Sequence, residues 1–355
     1  MKVVALTSGR TMPSARFRVR QYIPALAERG VEVQEHPPLL EQNAKLPGAL
    51  GRIRPRYLGP LGLGMVAAHY AARIPGVIAS RFGDIVWLQR DLLRWGVSYE
   101  PLLKRPLVFD VDDAIWLKRP FVGKIAKSAT AVFAGNQFLA DWFSQHNQNV
   151  FVVPTAIDTD RFKPRDHRPE GQPFTVGWTG SRPNLRYLQS IQRPLGHFLR
   201  EHGNARLLVV CDASPDLPDV PSSRITYLRW TPANEVESLQ HMDVGIMPLS
   251  DGDWERGKCS FKMLQYMAAA LPVVVSPVGM NRELLRAGDL GLPATCDKEW
   301  LDSLFELARD PSRAEAIGRC GRRTAETSYS VEAISMRLRA LFYTIREPRQ
   351  TANAR

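Results

Sequence analysis

The stretch Lys258–Met280, KCSFKMLQYMAAALPVVVSPVGM, decides the fold of this chain. It predicts a polar loop, a helix with one packed side, a tight turn of small residues and a short strand. Ser260 is placed to cap the first backbone N–H groups of the helix. The strand Pro272–Val275 lacks polar alternation, which is typical of a parallel sheet covered on both faces. Polar residues at the start of such a helix face the crevice at the strand ends, where open α/β sheets bind ligands.

Length and composition indicate two domains of ordinary size. At 355 residues the chain is too long for one usual core. Its hydrophobic content of 44% and mean hydropathy of −0.23 are typical of a soluble globular protein. The four cysteines are scattered without a CxxC or Cys/His cluster, so we expect no structural zinc and a reducing, cytoplasmic compartment. The opening MKVVALTSGR is too short an apolar run for a signal peptide and predicts a first strand.

The net charge of +11 admits nucleic acid, an anionic membrane surface or a phosphate-rich small molecule as a partner. No RNA-binding or helix-turn-helix signature is present, so we expect no nucleic acid partner. The arginines are spread out, with one concentration. It comprises Arg52, Arg54, Arg56 and Arg73.

The longest apolar-leaning segment, Leu58–Ala79, is not expected to span a membrane because polar residues and prolines interrupt it. These are Pro60, His69, Arg73 and Pro75. The wider region Leu46–Arg81 is rich in Gly, Pro and Arg, and it predicts a loop and a mobile basic helix on the surface.

Apolar runs alternate with amphipathic stretches throughout, which indicates α/β units with mostly parallel sheets. The strands predicted in the first half are Val3–Leu6, Val31–Gln34, Ile85–Leu88, Leu107–Phe109, Ala131–Ala134 and Val150–Val153. Those in the second half are Thr175–Trp178, Ala205–Val210, Ile225–Leu228, Val244–Met247, Val273–Val275 and Gly291–Pro293. Helices are predicted between them, among others over Ala15–Arg29, Gln137–Gln145, Asn184–Glu201, Phe261–Ala270 and Arg313–Tyr329.

The predicted domains are 1–165 and 166–330, joined by the Pro/Arg/Asp-rich stretch Lys163–Pro173. The tail Val331–Arg346 predicts an amphipathic helix that can pack back on the first domain. Two doubly wound domains would form a cleft between the carboxyl ends of their sheets. That architecture suits a ligand with two chemically different parts.

Two glycine-containing turns are candidate phosphate sites. Gly177–Pro183 follows the first strand of the second half and opens a helix, so its N–H groups and the helix dipole favour an anion. A plain β–α turn is the alternative. The same reasoning places Gly9, Arg16 and Arg18 at the cleft, with a solvated basic helix start as the alternative.

The carboxylates of Asp110-Val111-Asp112-Asp113 end a predicted strand, where they can bind a metal, orient a hydroxyl or cap a helix. A D-x-D pattern is also a known metal-binding pattern, so the string is ambiguous. No His or Glu lies nearby to complete a ligand set, so Asp112 and Asp113 are interpreted as cleft-edge residues without a metal.

Lys258 and Lys262 flank the start of the helix Phe261–Ala270, with Gln265 one turn further along. A lysine at a phosphate site neutralises a leaving diphosphate, and a glutamine can hydrogen-bond ribose hydroxyls. A surface helix with ordinary lysines is the alternative. Glu283 is a further candidate, with an N-terminal helix carboxylate as its alternative. No Ser/His/Asp signature, histidine metal motif or convincing nicotinamide motif is present.

Taken in order, these pieces resemble the retaining glycosyltransferases of the GT-B fold, in the group often called family four. The resemblance spans Met1 to about Tyr329 and lies in the order of the motifs. The matching strings are Ser14–Arg18, Phe109–Trp116, Val152–Asp158, Phe174–Gly180 and Lys258–Gly279 with Glu283.

The resemblance implies two Rossmann-like domains facing across a cleft and a hexosyltransferase that retains anomeric configuration. It implies a nucleotide-diphosphate sugar as donor, a glycan or lipid-linked acceptor in polysaccharide biosynthesis, and no metal cofactor. The implied donor-binding residues are Gly180, Ser181, Arg182, Lys258, Gln265 and Glu283. The implied acceptor-side residues are Gly9, Arg16 and Arg18, and the candidate catalytic residues are Asp112 and Lys262. The basic surface around Arg52–Arg73 would touch an anionic membrane from the cytoplasmic side.

Several positions depart from the family's pattern. Its Glu-x7-Glu positions are Gly257 and Gln265 here, with Glu255 near the first. The usual Arg after the opening glycine is Trp178, and Asn-Gly of the interdomain motif is Thr155-Ala156. A non-catalytic GT-B-like binding or scaffold protein of a polysaccharide pathway is therefore the rival hypothesis. A nucleotide-sugar epimerase is a third, which would need carboxylates and histidines that the sequence does not place.

Overall fold

The structure of the chain, a computed structural model, describes residues 1–41, 44, 59–166 and 171–347. It divides into two compact units. The first comprises Met1–Thr155 together with the segment from Ile334 onward, and the second comprises Ala156–Ala333. The division falls at Ala156 and not at residue 166 because the intervening residues bond to the second unit. For example, the Ile157 N–H donates to the Tyr329 carbonyl oxygen at 2.8 Å.

The first unit is built on a six-stranded parallel sheet in the order β2-β1-β3-β4-β5-β6. Its strands are β1 Lys2–Leu6, β2 Glu32–His36, β3 Ile85–Gln89, β4 Leu107–Val111, β5 Ala131–Ala134 and β6 Val150–Val152. The central strands β3, β4 and β5 are buried along their whole length, as their continuous apolar runs predict. The strand order reverses direction between β1 and β3, which makes that point the switch point of the sheet.

Helices cover the first sheet. They are α1 Pro13–Arg18, α2 Ile23–Ala27, α3 Gly59–Ala71, α4 Ile74–Ala79, α5 Val122–Ser128 and α6 Gln137–Ser144. The tail helix α15 spans Val331–Arg346. Its Phe342 lies against Trp87 and Phe133, with ring centroids 5.3 and 5.8 Å apart. The tail helix thus completes the core around β3 and β5.

The second unit has its own six-stranded parallel sheet in the order β12-β11-β10-β7-β8-β9. Its strands are β7 Phe174–Thr179, β8 Ala205–Cys211, β9 Ile225–Arg229, β10 Val244–Met247, β11 Val273–Val275 and β12 Leu292–Pro293. Counted from β7 this is the 3-2-1-4-5-6 order of a dinucleotide-binding fold, with its switch point between β7 and β10.

Eight helices of the described chain begin in this unit before the tail helix. They are α7 Leu185–Gln189, α8 Gln192–Glu201, α9 Glu237–Gln240, α10 Asp253–Arg256, α11 Phe261–Ala268, α12 Met280–Ala287, α13 Asp297–Arg309 and α14 Pro311–Ser328. Helices α8 and α13 pack together through Phe198 and Phe305, whose ring centroids are 5.0 Å apart. Their apolar faces close the core over β7 and β8.

All twelve predicted strands are present, each with its bounds within two residues of the prediction. The predicted cap at Ser260 is wrong. Ser260 lies in the left-handed region with φ of 48°, and its side chain makes no cap hydrogen bond. Its hydroxyl instead donates to Asn281 Oδ1 at 2.6 Å. Arg52, Arg54 and Arg56 lie outside the described residues.

Candidate functional site

The switch point of the second sheet is occupied by the start of helix α11. Strands β7 and β10 adjoin there, with Gly177 opposite Gly245. A Cβ at Gly245 would overlap the ring of Tyr266, so only glycine lets the helix approach so closely. The Thr179 N–H donates to the Tyr266 hydroxyl oxygen at 3.0 Å, and burial raises the pKa of Tyr266 to about 12. Tyr266 is therefore a neutral side chain that fixes α11 to the end of β7.

The predicted glycine turn follows β7 directly. A Cβ at Gly180 would overlap the indole of Trp178, so glycine is required at this position. The Gly180 N–H donates to the Val210 carbonyl oxygen at 2.9 Å, and the Arg182 N–H donates to Asp212 Oδ1 at 2.6 Å. The Ser181 hydroxyl oxygen accepts from Asn184. Because two of its N–H groups donate within the protein, an anion at this turn would be bound mainly by nearby side chains.

Lys262 and Lys258 bring positive charge to this turn. Lys262 is half-buried, and its Nζ lies 4.7 Å from the ring centroid of Trp178. Burial and the charge of Lys258 lower the pKa of Lys262 to about 7. Lys258 Nζ lies 5.7 Å from the ring centroid of Trp254. A partly desolvated lysine gains strongly from an incoming anion, because the anion stabilises its charged form.

Gln265 lies one turn after Phe261 and is 6% exposed. Its Nε2 donates to Glu235 Oε1 at 3.3 Å, and Glu235 forms an ion pair with Arg161 at 2.9 Å. Burial raises the pKa of Glu235, against the opposing effect of Arg161. The amide nitrogen of Gln265 is thus turned toward Glu235, which leaves its carbonyl oxygen on the other side as an acceptor.

Glu255, considered as a substitute for the missing carboxylate at Gly257, faces helix α7. Its Oε1 accepts from the hydroxyl of Tyr187 and from Arg186 Nη2, the latter at 3.1 Å. Glu255 is 6% exposed. Its carboxylate therefore links α10 to α7 within the second unit. Glu283 lies in the first turn of α12 and is exposed.

The acceptor-side candidates of the first unit differ in their surroundings. Arg18 is 1% exposed and donates to both oxygens of Asp110, at 2.8 and 3.1 Å. It also donates to the Val153 carbonyl oxygen at 2.7 Å. Arg16 is half-buried, with its guanidinium 4.8 Å from the ring centroid of Phe17. The geometry makes Arg18 a core residue that ties α1 to β4, whereas Arg16 stays within reach of solvent.

Gly9 follows β1, and a Cβ there would overlap the carboxylate of Glu41. Glu41 Oε1 accepts from the N–H groups of Arg10 and Thr11, at 2.6 and 3.2 Å. The turn that was predicted to face an anion therefore holds a carboxylate of this chain. This agrees with the anion-binding character expected of a β–α turn.

Asp112 and Asp113 share one partner, Arg90. Arg90 Nε donates to Asp112 Oδ1 at 2.8 Å, and its Nη2 donates to Asp113 Oδ2. Arg90 has φ of 62°, an uncommon conformation for a residue with a side chain. Asp110 of the D-x-D pattern points into the core toward Arg18, so it does not converge with Asp112. In the described ranges no three His, Cys, Asp or Glu side chains come together as a metal site.

Four residues of these clusters were missed by the sequence reasoning: Tyr266, Glu235, Asp212 and Arg90. Tyr266 lies four residues after Lys262 and thus on the same helix face, a spacing that could have identified it. Glu235 and Asp212 lie 30 residues from the groups that they contact, and no sequence pattern connects them.

Comparison with known proteins gives a family match to part of the chain and a fold. A family model described as glycosyl transferases group 1 matches residues 174–310. No curated protein sequence is significantly similar to the chain. Sucrose-phosphate synthase from Thermosynechococcus elongatus has a similar structure, with a TM-score of 0.69 at 15% identity, covering 97% of this chain and 98% of the other.

Two further solved structures are similar over the same span. HepE from Anabaena in complex with UDP-glucose gives a TM-score of 0.68 at 14% identity, covering 97% of this chain and 100% of that one. WaaG, a glycosyltransferase involved in lipopolysaccharide biosynthesis, gives 0.63 at 14% identity, covering 96% of this chain and 99% of that one.

The two parallel sheets of six strands with flanking helices are those of the GT-B glycosyltransferases. The second unit carries a glycosyl transferases group 1 domain, and the protein is accordingly a transferase enzyme whose general activity is sugar transfer.

Proposed function

We propose that the protein transfers a sugar from a nucleotide-diphosphate sugar to a glycan or lipid-linked acceptor, with retention at the anomeric carbon. The observation that carries the proposal is the lysine pair at the switch point of the second sheet. Lys262 is half-buried there against Trp178, and Lys258 lowers its pKa further. Such a pair is suited to a diphosphate, whose two phosphoryl groups carry the opposite charge.

The chemistry follows from that charge. When the bond from the anomeric carbon to the diphosphate breaks, negative charge grows on the leaving group. Lys262 and Lys258 stabilise that charge, and in our proposal no metal is needed. The acceptor hydroxyl oxygen bonds to the anomeric carbon, and its proton leaves with the diphosphate. Activity that persists in excess EDTA would support this part, and loss of activity that Mg²⁺ or Mn²⁺ restores would contradict it.

The remaining donor contacts are assigned by their positions. The carbonyl oxygen of Gln265 is proposed to accept from ribose hydroxyls, because Glu235 holds the amide nitrogen. Gly180, Ser181 and Arg182 are proposed to border the diphosphate, and Glu283 the sugar. HepE was solved with UDP-glucose, which supports UDP-sugars as the first donors to test.

On the acceptor side, Asp112 is proposed to orient the reacting hydroxyl. Arg90 donates to Asp112 Oδ1 and so fixes the position of this carboxylate. Gly9 and Arg16 are proposed to bound the acceptor, with Arg18 supporting them from the core. The configuration of the product, read by proton NMR of the anomeric signal, tests the proposed retention.

The decisive experiment compares lysine variants in a panel of nucleotide sugars. Thermal stabilisation of the wild-type protein and slow nucleotide release are expected with at least one donor. The Lys262→Ala variant should lose most of the thermal stabilisation by the donor and most of the nucleotide release. Lys298→Ala is the matched control, since Lys298 is exposed and forms an ion pair with its helix neighbour Asp302. If Lys262→Ala behaves like Lys298→Ala, the proposed donor site is wrong.

One observation favours the rival binding or scaffold function. Gly257 offers no carboxylate at the family's first Glu position, and Glu255 is held by Tyr187 and Arg186. Binding of a nucleotide sugar without hydrolysis or transfer to any acceptor would support this rival.

A further inference from the structure

Trp178, near the carboxyl end of β7, contacts two parts of the candidate donor site, the Gly180 turn and Lys262. Its side chain is 1% exposed and belongs to the apolar core of the second unit. On the neighbouring strand β8 its partner is Val209. Side chains in such a core interdigitate at high density with few voids, so the indole is held in one orientation. Trp178 is therefore a fixed surface at the end of its strand.

The Gly180 turn lies directly on the benzene part of this indole. A Cβ built at Gly180 would lie 2.2 Å from Trp178 Cη2, well inside van der Waals contact. Thr179, the residue between them, donates its N–H to the Tyr266 hydroxyl oxygen at 3.0 Å. The ring of Trp178 and the hydroxyl of Tyr266 together fix the position of the turn.

The end of the Lys262 side chain lies over the same ring. Its Nζ is 4.7 Å from the ring centroid of Trp178, and the residue is half-buried. A cation within about 6 Å of an indole centroid is attracted by the negative face of the ring, more strongly when the cation is partly desolvated. Tyr266, one turn later on α11, fixes the helix backbone through Thr179. Both ends of the Lys262 side chain are therefore held.

In the described part of the chain, Lys262 has a ring as its partner and forms no ion pair with a carboxylate. The ionisable groups that act on its amine are Lys258 and the thiol of Cys211. Lys298, by contrast, is paired with the carboxylate of Asp302. A carboxylate beside Lys262 would also hold the ammonium group, but it would repel an incoming diphosphate. The indole holds the cation without that repulsion.

A lysine that is held in advance binds an anion at a lower entropic cost. The ammonium group of a free lysine sits on a long flexible stem, and fixing that stem at the moment of binding costs conformational entropy. Where a ring already restricts the side chain, this cost belongs to folding. The anion then keeps more of the electrostatic attraction as binding free energy.

We propose that Trp178 is the positioning residue of Lys262, and that its indole holds the ammonium group beside the Gly180 turn before a diphosphate arrives. Because Trp178 is 1% exposed, it acts on the anion through Lys262 and not by direct contact. That the anion is the diphosphate of a nucleotide sugar rests on the proposed function. The contact between Trp178 and Lys262 does not, and it is measurable in the protein without a ligand.

The first measurement is the ring-current shift of Lys262 by NMR, in the full chain isotope-labelled at lysine Cε. Protons over an aromatic face are shielded, so the Lys262 Cε protons should resonate upfield of those of the other lysines. Lys262→Arg identifies the signal by removing it. Trp178→Leu should abolish the upfield shift, and Trp178→Phe, which keeps a smaller ring, should retain part of it. An ordinary lysine position in the wild-type protein overturns the proposal without any variant.

The second measurement is the affinity for inorganic pyrophosphate, by calorimetry. Trp178→Leu should bind about three- to tenfold more weakly, as expected for loss of a partly desolvated cation–π contact. In the Lys262→Ala background the same substitution should change the affinity by less than about twofold, because its effect passes through Lys262. Trp300→Leu is the matched control, since Trp300 is 3% exposed in the same apolar core. It should lower stability and leave the affinity unchanged.

Three results of the second measurement overturn the proposal. They are no pyrophosphate binding by the wild-type protein, equal losses of affinity in Trp178→Leu and Trp300→Leu, and an undiminished effect of Trp178→Leu in the Lys262→Ala background. The proposed function fails separately. If the ring-current shift and the pyrophosphate affinities are as expected but no nucleotide sugar stabilises the wild-type protein, the proposed donor is wrong and the role of Trp178 stands.

Discussion

At the scale of single residues, the titration of Lys262 governs how donor binding depends on pH. Burial and Lys258 lower its pKa to about 7 in the folded protein, from an ordinary value of 10.5. A bound diphosphate favours the charged amine, so binding above pH 7 must take up a proton. Affinity for the donor should therefore fall as pH rises above 7, by up to about tenfold per unit. Calorimetry at pH 8 in two buffers of different ionisation enthalpy measures the proton uptake.

Lys262→Arg supplies the control for this pH dependence. A guanidinium stays charged throughout the range, so the variant should bind donor with little proton uptake.

The titration of Lys262 also affects the stability of the fold. Between pH 7 and 10.5 the unfolded chain binds the proton that the folded chain has lost, so this residue's contribution to stability rises with pH. Below pH 7 both states are protonated and the contribution is constant. A donor affinity independent of pH from 7 to 9 would contradict the assignment.

The pair Gln265 and Glu235 gives a second prediction at the residue scale. Gln265→Glu restores the family's carboxylate, but it places that carboxylate about 3.3 Å from Glu235 Oε1. Two buried carboxylates at this distance repel, and one of them must take up a proton. The variant should lose about 2 kcal/mol of stability at pH 8, where both would otherwise be ionised, and recover part of it at pH 5. Urea unfolding at the two pH values measures the change.

The double variant Glu235→Gln, Gln265→Glu exchanges the two groups and separates this repulsion from simple misfitting. It should recover most of the stability lost by Gln265→Glu, since one carboxylate again faces one amide. It should also still bind the donor, because the new carboxylate accepts from ribose hydroxyls as an amide oxygen does. If the double variant loses as much stability as Gln265→Glu and Glu235→Gln lose together, the two groups do not interact.

At the scale of elements, the seating of α11 against β7 depends on one hydroxyl. Tyr266→Phe removes the oxygen that accepts from the Thr179 N–H, in a region where Thr179 is 8% exposed. An unsatisfied buried N–H costs about 1–3 kcal/mol, so stability should fall by that amount. Donor binding should weaken as well, since the Gly180 turn follows Thr179 directly. Denaturant unfolding and thermal shift measure the two effects.

The matched control is Tyr227→Phe. The Tyr227 hydroxyl donates to the Cys211 carbonyl oxygen at 3.2 Å, but its side chain is 38% exposed. Water can replace this hydrogen bond, so the expected loss is below about 1 kcal/mol. Equal losses in the two variants would mean that the Tyr266 hydroxyl is not a specific support for α11.

The sequence was sufficient for most strands because they are short, mainly apolar runs between polar turns. Strand β2, EVQEH, is mostly polar, and only Val33 of it is buried. Helix continuity was harder to predict. The helix expected over Ala15–Arg29 breaks into α1, a 3₁₀ turn and α2, which begins with Pro24 in its first turn. The helix expected over Asn184–Glu201 breaks at Ser190 and Ile191, three residues before Pro194. In both cases the period of apolar residues continues across the break, so periodicity alone misses it.

The candidate site was predictable where its residues share one element. Lys258 lies in the loop before α11, and Lys262 and Gln265 lie in the first turns of that helix. Their closeness in sequence therefore predicts that they lie close together in the structure. The contacts of Gln265 with Glu235, and of Asp112 with Arg90, join residues from different elements. Only the folded sheet brings these together. Whether they bind substrates stays a prediction.

At the scale of the whole molecule, residues 156–165 decide where the boundary between the two units lies. Ile157 is fully buried and Phe162 is 1% exposed, both within the second unit. Arg322 Nη1 donates to the Phe162 carbonyl oxygen at 2.6 Å, and its Nη2 to that of Thr159 at 3.0 Å. A linker placed at Lys163–Pro173 by composition thus leaves out a segment that belongs to the second unit's core.

Two fragments of the second unit test this division. The fragment 156–333 should fold and bind the donor, whereas 166–333 should be less stable by about 3 kcal/mol or more, because burying Ile157 and Phe162 contributes roughly 1.5–3 kcal/mol each. Urea unfolding of the two fragments measures the difference. Phe162→Ala in the longer fragment should account for much of it, since loss of a buried phenylalanine costs about 3–5 kcal/mol. Equal midpoints for all three would place the start of the unit at residue 166, and the contacts of Arg322 would then add no net stability.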